Sequence, residues 1–170
     1  MKHLNILVFM FVYCQGLMVP VDLPPGHYSV AIDSHGNALG EPTLVRPLDG
    51  LISSSSSAIN RRAPPKLPSP TVNCHDRSLN IGDFSAAYNA FNNMCDSGEF
   101  YPANSAQWVT VGSAVAYMCN YEESSRCWRE EYSQANALMD AGCGRNGIGW
   151  VNIDAYKKSY GRENSGVNIC

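Results

Sequence analysis

The fold is decided by residues 107–119, QWVTVGSAVAYMC, in the C-terminal half of this 170-residue chain. Two runs rich in β-branched and aromatic residues, 107–111 and 114–119, predict two strands. Gly112 and Ser113 lie between them and put glycine first in a two-residue turn, as a type II′ hairpin requires. The competing interpretation is one continuous strand through Gly112.

Amphipathic helices are predicted on both sides of this hairpin. Apolar residues recur there at spacings of three and four, first at Ile81, Phe84, Tyr88, Phe91 and Cys95, then at Trp128, Tyr132, Ala135 and Met139. Asn80 or Asp83 is expected to cap the first helix. The second is expected to begin near 124–125 and to end at Gly142 or Gly144. Both apolar stripes are interpreted as core.

Shorter strands complete the predicted fold. They fall near 72–74, at 149–153 and 156–160, and at 167–170 after a polar turn over 162–166. This order predicts an α+β domain in which two helices pack on one face of a mainly antiparallel sheet of about four to five strands.

Six cysteines lie in the C-terminal half, namely Cys74, Cys95, Cys119, Cys127, Cys143 and Cys170. An even number behind a secretory signal predicts three stabilising disulfides, for which about 15 connectivities exist. The pair Cys119–Cys127 is the favoured single bridge, because it would span a short polar loop. Neither zinc-finger nor thioredoxin-like cysteine spacing occurs.

The N-terminal part predicts a protein that is secreted and then processed. Residues 1–16 have the short positive start, apolar stretch and small terminal residues of a signal peptide. The adjacent pair Arg61 and Arg62 is typical of a dibasic processing site in an accessible loop. Cleavage there would leave a mature domain of residues 63–170. The alternative is two solvated arginines in a linker.

The intervening segment, 17–62, is expected to be a mostly disordered pro-segment. Its serine run at 53–57 and its prolines cannot bury enough apolar surface to offset chain entropy. Residues 27–45 are the exception, because they alternate around a turn. We expect that they could pair with a sheet edge and mask the active surface until cleavage.

No catalytic motif is evident in the sequence. His75 is the single histidine of residues 63–170, so a two-histidine ribonuclease mechanism is excluded for that domain. A glutamate–histidine ribonuclease using Glu130 or Glu131 has no supporting motif, and no nucleophile elbow occurs. His75 is therefore interpreted as a surface or cap residue. No catalytic, cofactor-binding or metal residue is assigned, no cofactor is expected, and a binding protein is favoured over an enzyme.

Charge argues against nucleic-acid binding, because residues 63–170 carry eight Lys and Arg against eleven Asp and Glu. One basic and aromatic cluster is nevertheless the candidate contact surface, formed by Tyr156, Lys157, Lys158, Tyr160 and Arg162. The alternative is a sheet edge defended by lysines against aggregation. A monomer without a membrane span is expected, because no segment is apolar over about 20 residues.

Residues 115–121 and the closing stretch 165–170 carry a family resemblance. Together with the signal, the dibasic site and the six cysteines, they make residues 72–170 similar to small secreted cysteine-rich proteins of filamentous fungi. The resemblance is to killer-toxin-like and necrosis-inducing extracellular effectors, and it leaves 17–62 unexplained.

The resemblance implies a secreted virulence effector or toxin-like protein that binds a host or competitor target outside the producing cell. Two alternatives remain open. One is a small secreted hydrolase, directed at RNA or glycans, and the other is a structural wall protein. No site residue follows from the resemblance.

Overall fold

The computed structural model describes residues 16–52, 66–96 and 99–170, and within them it shows an antiparallel sheet with helices on one face. The strands are β1 (Leu17–Met18), β2 (Gly26–Ala31), β3 (Thr43–Pro47), β4 (Thr71–Ser78), β5 (Phe100–Tyr101), β6 (Ser105–Val111), β7 (Ala114–Asn120), β8 (Ser125–Arg126), β9 (Gly147–Ile153), β10 (Lys158–Asn164) and β11 (Asn168–Ile169). The helices are α1 (Leu48–Ile52), α2 (Ile81–Asp96) and α3 (Arg129–Cys143), with a 3-10 turn at Asp154–Tyr156.

Seven strands form the main sheet in the order β3-β2-β6-β7-β10-β9-β4, and each neighbouring pair is antiparallel. Two small ribbons, β1–β11 and β5–β8, stand beside it. The α+β class and the disulfide stabilisation are confirmed. The sheet is larger than the four to five strands predicted, because β2 and β3 come from the N-terminal segment and β9 and β10 are both full strands.

The central hairpin agrees with the predicted turn. Val111 pairs with Ala114, so Gly112 and Ser113 form a two-residue loop, and the continuous-strand alternative is wrong. Gly112 has φ 55°, the positive value that the first position of a type II′ turn needs. The backbone N–H and the hydroxyl of Ser113 both donate to the Asp83 carboxylate at 2.8 Å, which ties the hairpin tip to α2.

Helices α2 and α3 pack on the same face of the sheet, which we call the helix face. The predicted stripes supply buried Phe91, Cys95, Tyr132, Ala135 and Met139 to this core, whereas Ile81 at the start of α2 is exposed. Asn80 caps α2 by accepting the backbone N–H of Asp83 at 3.1 Å. Helix α3 begins at Arg129, later than predicted, because residues 125–126 pair with β5 instead. It ends at Gly144, whose φ is 84°.

Residues 16–52, which we call the N-terminal segment, are part of this fold. Strand β2 pairs with β6 over six residues, and Tyr28 stacks on Trp108 with ring centroids 5.7 Å apart. Strand β1 pairs with β11. The expected disorder therefore does not describe 17–52, where the alternating apolar residues find partners on distant strands. Pairing of residues 27–45 with the sheet agrees with the hypothesis from their alternation.

The signal peptide, apart from Gly16, and the processing site at Arg61 and Arg62 lie outside the described residues. Cleavage at these arginines, and masking of an active surface before it, therefore stay predictions. No described helix has the length and apolar character needed to cross a bilayer.

The three disulfides are Cys74–Cys143, Cys95–Cys127 and Cys119–Cys170. The expected Cys119–Cys127 bridge is wrong, because the two cysteines belong to cores on opposite sides of the sheet. Side chains alternate between faces along β7, which places Cys119 with Tyr117 on the face away from the helices. Cys127 instead lies beneath α2, next to Cys95.

Three buried tyrosines make stability sensitive to alkaline pH. Burial raises the pKa of Tyr117, Tyr132 and Tyr160, with the charges of Glu163 and Glu131 adding to the shift for the first and third. The pKa values of these tyrosines in the folded protein exceed the unfolded value of about 10. Their contribution to the free energy of unfolding is therefore complete below pH 10 and is lost as the pH rises above it. Between pH 9 and 11 the free energy of unfolding should fall by a few kcal/mol, since the three phenols stay neutral in the folded protein while they ionise in the unfolded chain.

Urea unfolding at the two pH values, with phenolate absorbance recorded in parallel, measures this effect. Full ionisation of Tyr117, Tyr132 and Tyr160 near pH 10 in a protein that remains folded would contradict the assignment.

Candidate functional site

Three of the five residues of the predicted contact surface are buried and unavailable to a partner. Lys158, Tyr160 and Arg162 are all buried, with exposed fractions of 4%, 0% and 0%. The physical reason is that β10 is an inner strand, hydrogen-bonded to β7 and β9, and these three side chains point towards the helices. Of the remaining members Tyr156 is half-buried, and Lys157 is exposed and pairs with Glu122 at 3.2 Å.

The buried cations of β10 hold α3 in place. Lys158 Nζ lies 2.9 Å from Glu131 Oε2, which also accepts the hydroxyl of Tyr160 at 2.8 Å. Desolvation lowers the pKa of Lys158, and the nearby Glu131 carboxylate opposes that shift. Arg162 donates to Asp140 and Asn136 on α3, and to the backbone carbonyls of Gly144 after that helix and of Gly147 at the start of β9. These groups are satisfied internally and cannot serve a ligand.

The opposite face of the sheet, away from α2 and α3, carries a cleft of about 320 Å³. Pockets of this size are typical of small-ligand sites. The cleft is lined by Gly16, His35, Asn37, His75, Tyr117, Tyr121, Trp150, Ser159, Asn168, Ile169 and Cys170. They come from the N-terminal segment, from four strands of the main sheet and the loop after β7, and from the chain around β11.

Gly161 shapes the floor of the cleft. It pairs with Tyr117 on one side and with Trp150 on the other, in the middle of β10. A Cβ atom at Gly161 would overlap the ring of Tyr117, so glycine allows this ring to lie flat over the strand. The Tyr117 ring, which lines the cleft together with Trp150, therefore covers the backbone at Gly161 and makes the floor aromatic.

The C-terminal residue forms part of the wall. Cys170 is bonded to Cys119 of β7, and its carbonyl oxygen accepts the hydroxyl of Tyr121 at 3.3 Å. That hydroxyl also lies 3.4 Å from Ser159 Oγ. Burial raises the pKa of Tyr121, so its phenol stays neutral at physiological pH. The wall is covalently fixed before any ligand arrives.

A turn of the N-terminal segment supplies the other part of the wall. The Asp33 carboxylate accepts hydrogen bonds from the backbone N–H groups of His35 and Asn37 and from the Asn37 side chain, at 2.8–2.9 Å. The bonds from Asn37 lower the pKa of Asp33, so the carboxylate that holds the turn stays ionised. Gly36 packs against Cys170 with φ 82°. The segment expected to be discarded therefore helps to build the cleft.

His75 is held by a buried carboxylate. Its Nδ1 lies 2.9 Å from Glu163 Oε2, and the side chains are 35% and 2% exposed respectively. An ionised carboxylate only accepts hydrogen bonds, so it fixes the proton on Nδ1. The imidazole also meets the Trp150 ring edge-on at 5.1 Å. His75 is thus partly exposed, in agreement with the expected surface position, and it is in addition oriented at the edge of a cleft.

Sequence reasoning missed this site for identifiable reasons. The sequence pattern puts Glu163 in a polar turn, while the structure continues β10 to residue 164. His35 belongs to the segment predicted to be removed, yet it lines the same cleft as His75. The signal that could have found the site is the alternation at 27–33, which indicates a strand without indicating its partner.

Next to this cleft is a broader, open depression that shares His75 with it. Arg77 and Arg145 line the depression together with Asp76. Both arginines are exposed, so they can move towards an anion. Among the residues described, no group of three or more His, Cys, Asp or Glu side chains could hold a metal ion.

Comparison with known proteins gives no relative. No family model matches the chain, and neither a curated protein nor a solved structure matches it. The fungal effector resemblance therefore stays a prediction.

Proposed function

We propose that this chain is a secreted, disulfide-stabilised effector or toxin-like protein that binds a target outside the producing cell through the cleft on the second face of the sheet. The observation that supports this most directly is the cleft itself, with an aromatic floor and walls fixed by a disulfide. Three bridges are typical of proteins that work in an oxidising extracellular medium.

The cleft combines the two features that small-ligand sites share. Trp150 and Tyr121 offer flat apolar surfaces, and Asn37, Asn168 and Ser159 offer hydrogen-bonding groups around them. The disulfide from Cys119 limits movement of the wall, so little ordering entropy is lost on binding. A preformed site of this kind favours binding of an extended polar chain over docking of a flat protein surface.

The test uses the oxidised, secreted protein, labelled and applied to intact host or competitor cells. Trp150→Ala should weaken saturable binding about tenfold or more, because tryptophans at the centre of a binding site commonly contribute about 2 kcal/mol. Phe100→Ala is the matched control, since Phe100 is 64% exposed and lies outside the cleft. Equal binding by the Trp150→Ala and Phe100→Ala proteins, each shown to be folded by a cooperative urea transition, would reject the cleft as the binding site.

A further inference from the structure

The His75–Glu163 pair has the geometry of a proton-transfer group. Because Glu163 holds Nδ1–H at 2.9 Å, Nε2 is the nitrogen that can take a proton from a ligand. The carboxylate is 2% exposed while the imidazole is 35% exposed, so the carboxylate orients the ring and the ring reaches the solvent. If the His75–Glu163 pair served only to join β4 to β10, the imidazole would not need to line a cleft.

A second imidazole lines the same cleft. His35 is exposed on the turn that Asp33 holds, next to the C-terminal wall. Two imidazoles in one cleft can serve as base and acid in a single reaction, because an imidazole can both accept and donate a proton. The exclusion of a two-histidine mechanism applies only to residues 63–170, and the structure brings His35 in from outside that range.

The surroundings of His75 differ on its two sides. On the cleft side, the faces of Trp150 and Tyr121 can stack on unpaired bases. On the other side, Arg77 and Arg145 can contact phosphate oxygens, with Asp76 as the one acidic group of that depression. The mildly acidic composition argues against nucleic-acid binding by the domain as a whole. The positive charges of Arg77 and Arg145, however, are local to His75.

We propose that the cleft cleaves single-stranded RNA, with His75 as the general base, His35 as the general acid and Glu163 as the residue that positions His75. The inference rests on the proposed function in that it uses the same cleft as ligand site. It goes further by assigning a substrate class and a reaction.

The reaction is an internal transesterification. His75 Nε2 takes the proton of the ribose 2′-hydroxyl, and O2′ attacks the adjacent phosphorus and forms a new O2′–P bond. The P–O5′ bond breaks, its electron pair stays on O5′, and protonated His35 supplies the proton to that oxygen. The products are a 2′,3′-cyclic phosphate and a free 5′-hydroxyl. Proton exchange with water restores both imidazoles, and no oxidant, reductant or further reactant is consumed.

The experiment uses the full secreted chain with two probes of one mixed sequence, a fluorogenic single-stranded RNA dodecamer and its all-deoxy counterpart. We expect cleavage of the RNA to a cyclic phosphate end and binding of the DNA without cleavage. His75→Asn should lower kcat/KM at least about a hundredfold, as removal of a general base usually does. His35→Asn should give a loss of about the same size. Glu122→Gln, which changes an exposed carboxylate outside the cleft, should leave the rate unchanged.

Glu163→Gln tests the positioning role by a readout that a structural role would not move. It should lower kcat about tenfold and leave KM unchanged, because Glu163 orients the imidazole and does not itself line the cleft, and Glu163→Asp should restore part of the lost rate. A loss that appears in KM instead of kcat, or that Glu163→Asp does not relieve, would reject positioning by Glu163. If the His75→Asn protein does not fold, His35→Asn on its exposed turn still decides the question.

Three results would overturn the inference. The first is RNA cleavage that persists at the wild-type rate in the His75→Asn and His35→Asn proteins. The second is binding of the DNA probe that Trp150→Ala weakens, together with no cleavage of the RNA probe. In that case the cleft is a binding site and not a catalytic site. The third is neither binding nor cleavage of these probes, or turnover of a glycan instead. The cell-binding experiment judges the proposed function separately in each case.

Discussion

A chain that starts at residue 63 should not form the native sheet. It lacks the N-terminal segment, which contributes six fully buried apolar side chains, namely Leu17, Val19, Tyr28, Val30, Ile32 and Leu51. At about 1.5–3 kcal/mol for each buried side chain, their loss removes on the order of 10 kcal/mol. That is as large as the whole free energy of unfolding of a typical domain, about 5–15 kcal/mol.

The loss of packing is concentrated at strand β6. Without β2, the strand β6 becomes an edge, and Trp108, which is completely buried in the intact chain, loses the ring of Tyr28 that stacks on it. An exposed apolar edge strand favours aggregation. We therefore expect dye binding typical of exposed apolar surface, weak near-ultraviolet circular dichroism and no cooperative urea transition for residues 63–170 expressed alone.

The matched control is the intact chain, folded first and then cut after Arg62, between Arg62 and Ala63. Within the described residues, no disulfide links the N-terminal segment to the remainder, so only noncovalent contacts hold it after the cut. The two pieces should still co-elute and unfold together. A 63–170 protein that unfolds cooperatively at the urea midpoint of the intact chain would refute this assignment and restore the segment as a removable pro-segment.

Glu131→Gln should lower the free energy of unfolding by about 3–5 kcal/mol, a large effect for a single substitution of a charged residue. The Lys158 side chain is 3% exposed, and Glu131 is its ionised partner at 2.9 Å. The substitution leaves an ammonium group buried without a counter-charge and also changes the acceptor of the Tyr160 hydroxyl. Urea unfolding at pH 7 measures the difference.

The chain contains a control pair of the same chemistry. Lys157 and Glu122 lie 3.2 Å apart with side chains 51% and 61% exposed, and Glu122→Gln should change the free energy of unfolding by less than about 1 kcal/mol. Replacing both members of the buried pair, with Lys158→Met and Glu131→Leu, should recover most of the loss, because no unpaired charge remains. A Glu131→Gln protein as stable as the Glu122→Gln protein would contradict the buried-pair account.

Local sequence patterns were sufficient to predict the elements that are near one another in sequence. The hairpin around Gly112 and the stripes containing Phe91 and Tyr132 follow from periodicities of two and 3.6 residues, which a short window contains. The pairing of β2 with β6 does not follow from a local periodicity, because His27 and its partner Gln107 are 80 residues apart. No local rule states which distant strand an alternating segment will join.

The incorrect contact surface has a different cause. Exposure of Lys158 and Arg162 is the natural expectation, because charged side chains rarely lie in a core unless they are paired. Their pairing depends on Glu131 and Asp140 of α3, which meet β10 only in the folded protein. The candidate site escaped detection similarly, since His75 and Glu163 are 88 residues apart and no spacing links them.

The long separation between β2 and β6 also sets an order of events during biosynthesis. Strand β2 is synthesised well before β6, so its docking has to wait for β6 and is a step of high contact order. A protease that reaches the dibasic pair before docking would release a peptide, whereas one that arrives afterwards would leave a two-chain protein with a complete sheet. If the chain is secreted and cut at Arg61 and Arg62, as predicted, the relative rates of folding and of proteolysis would decide which molecule leaves the cell.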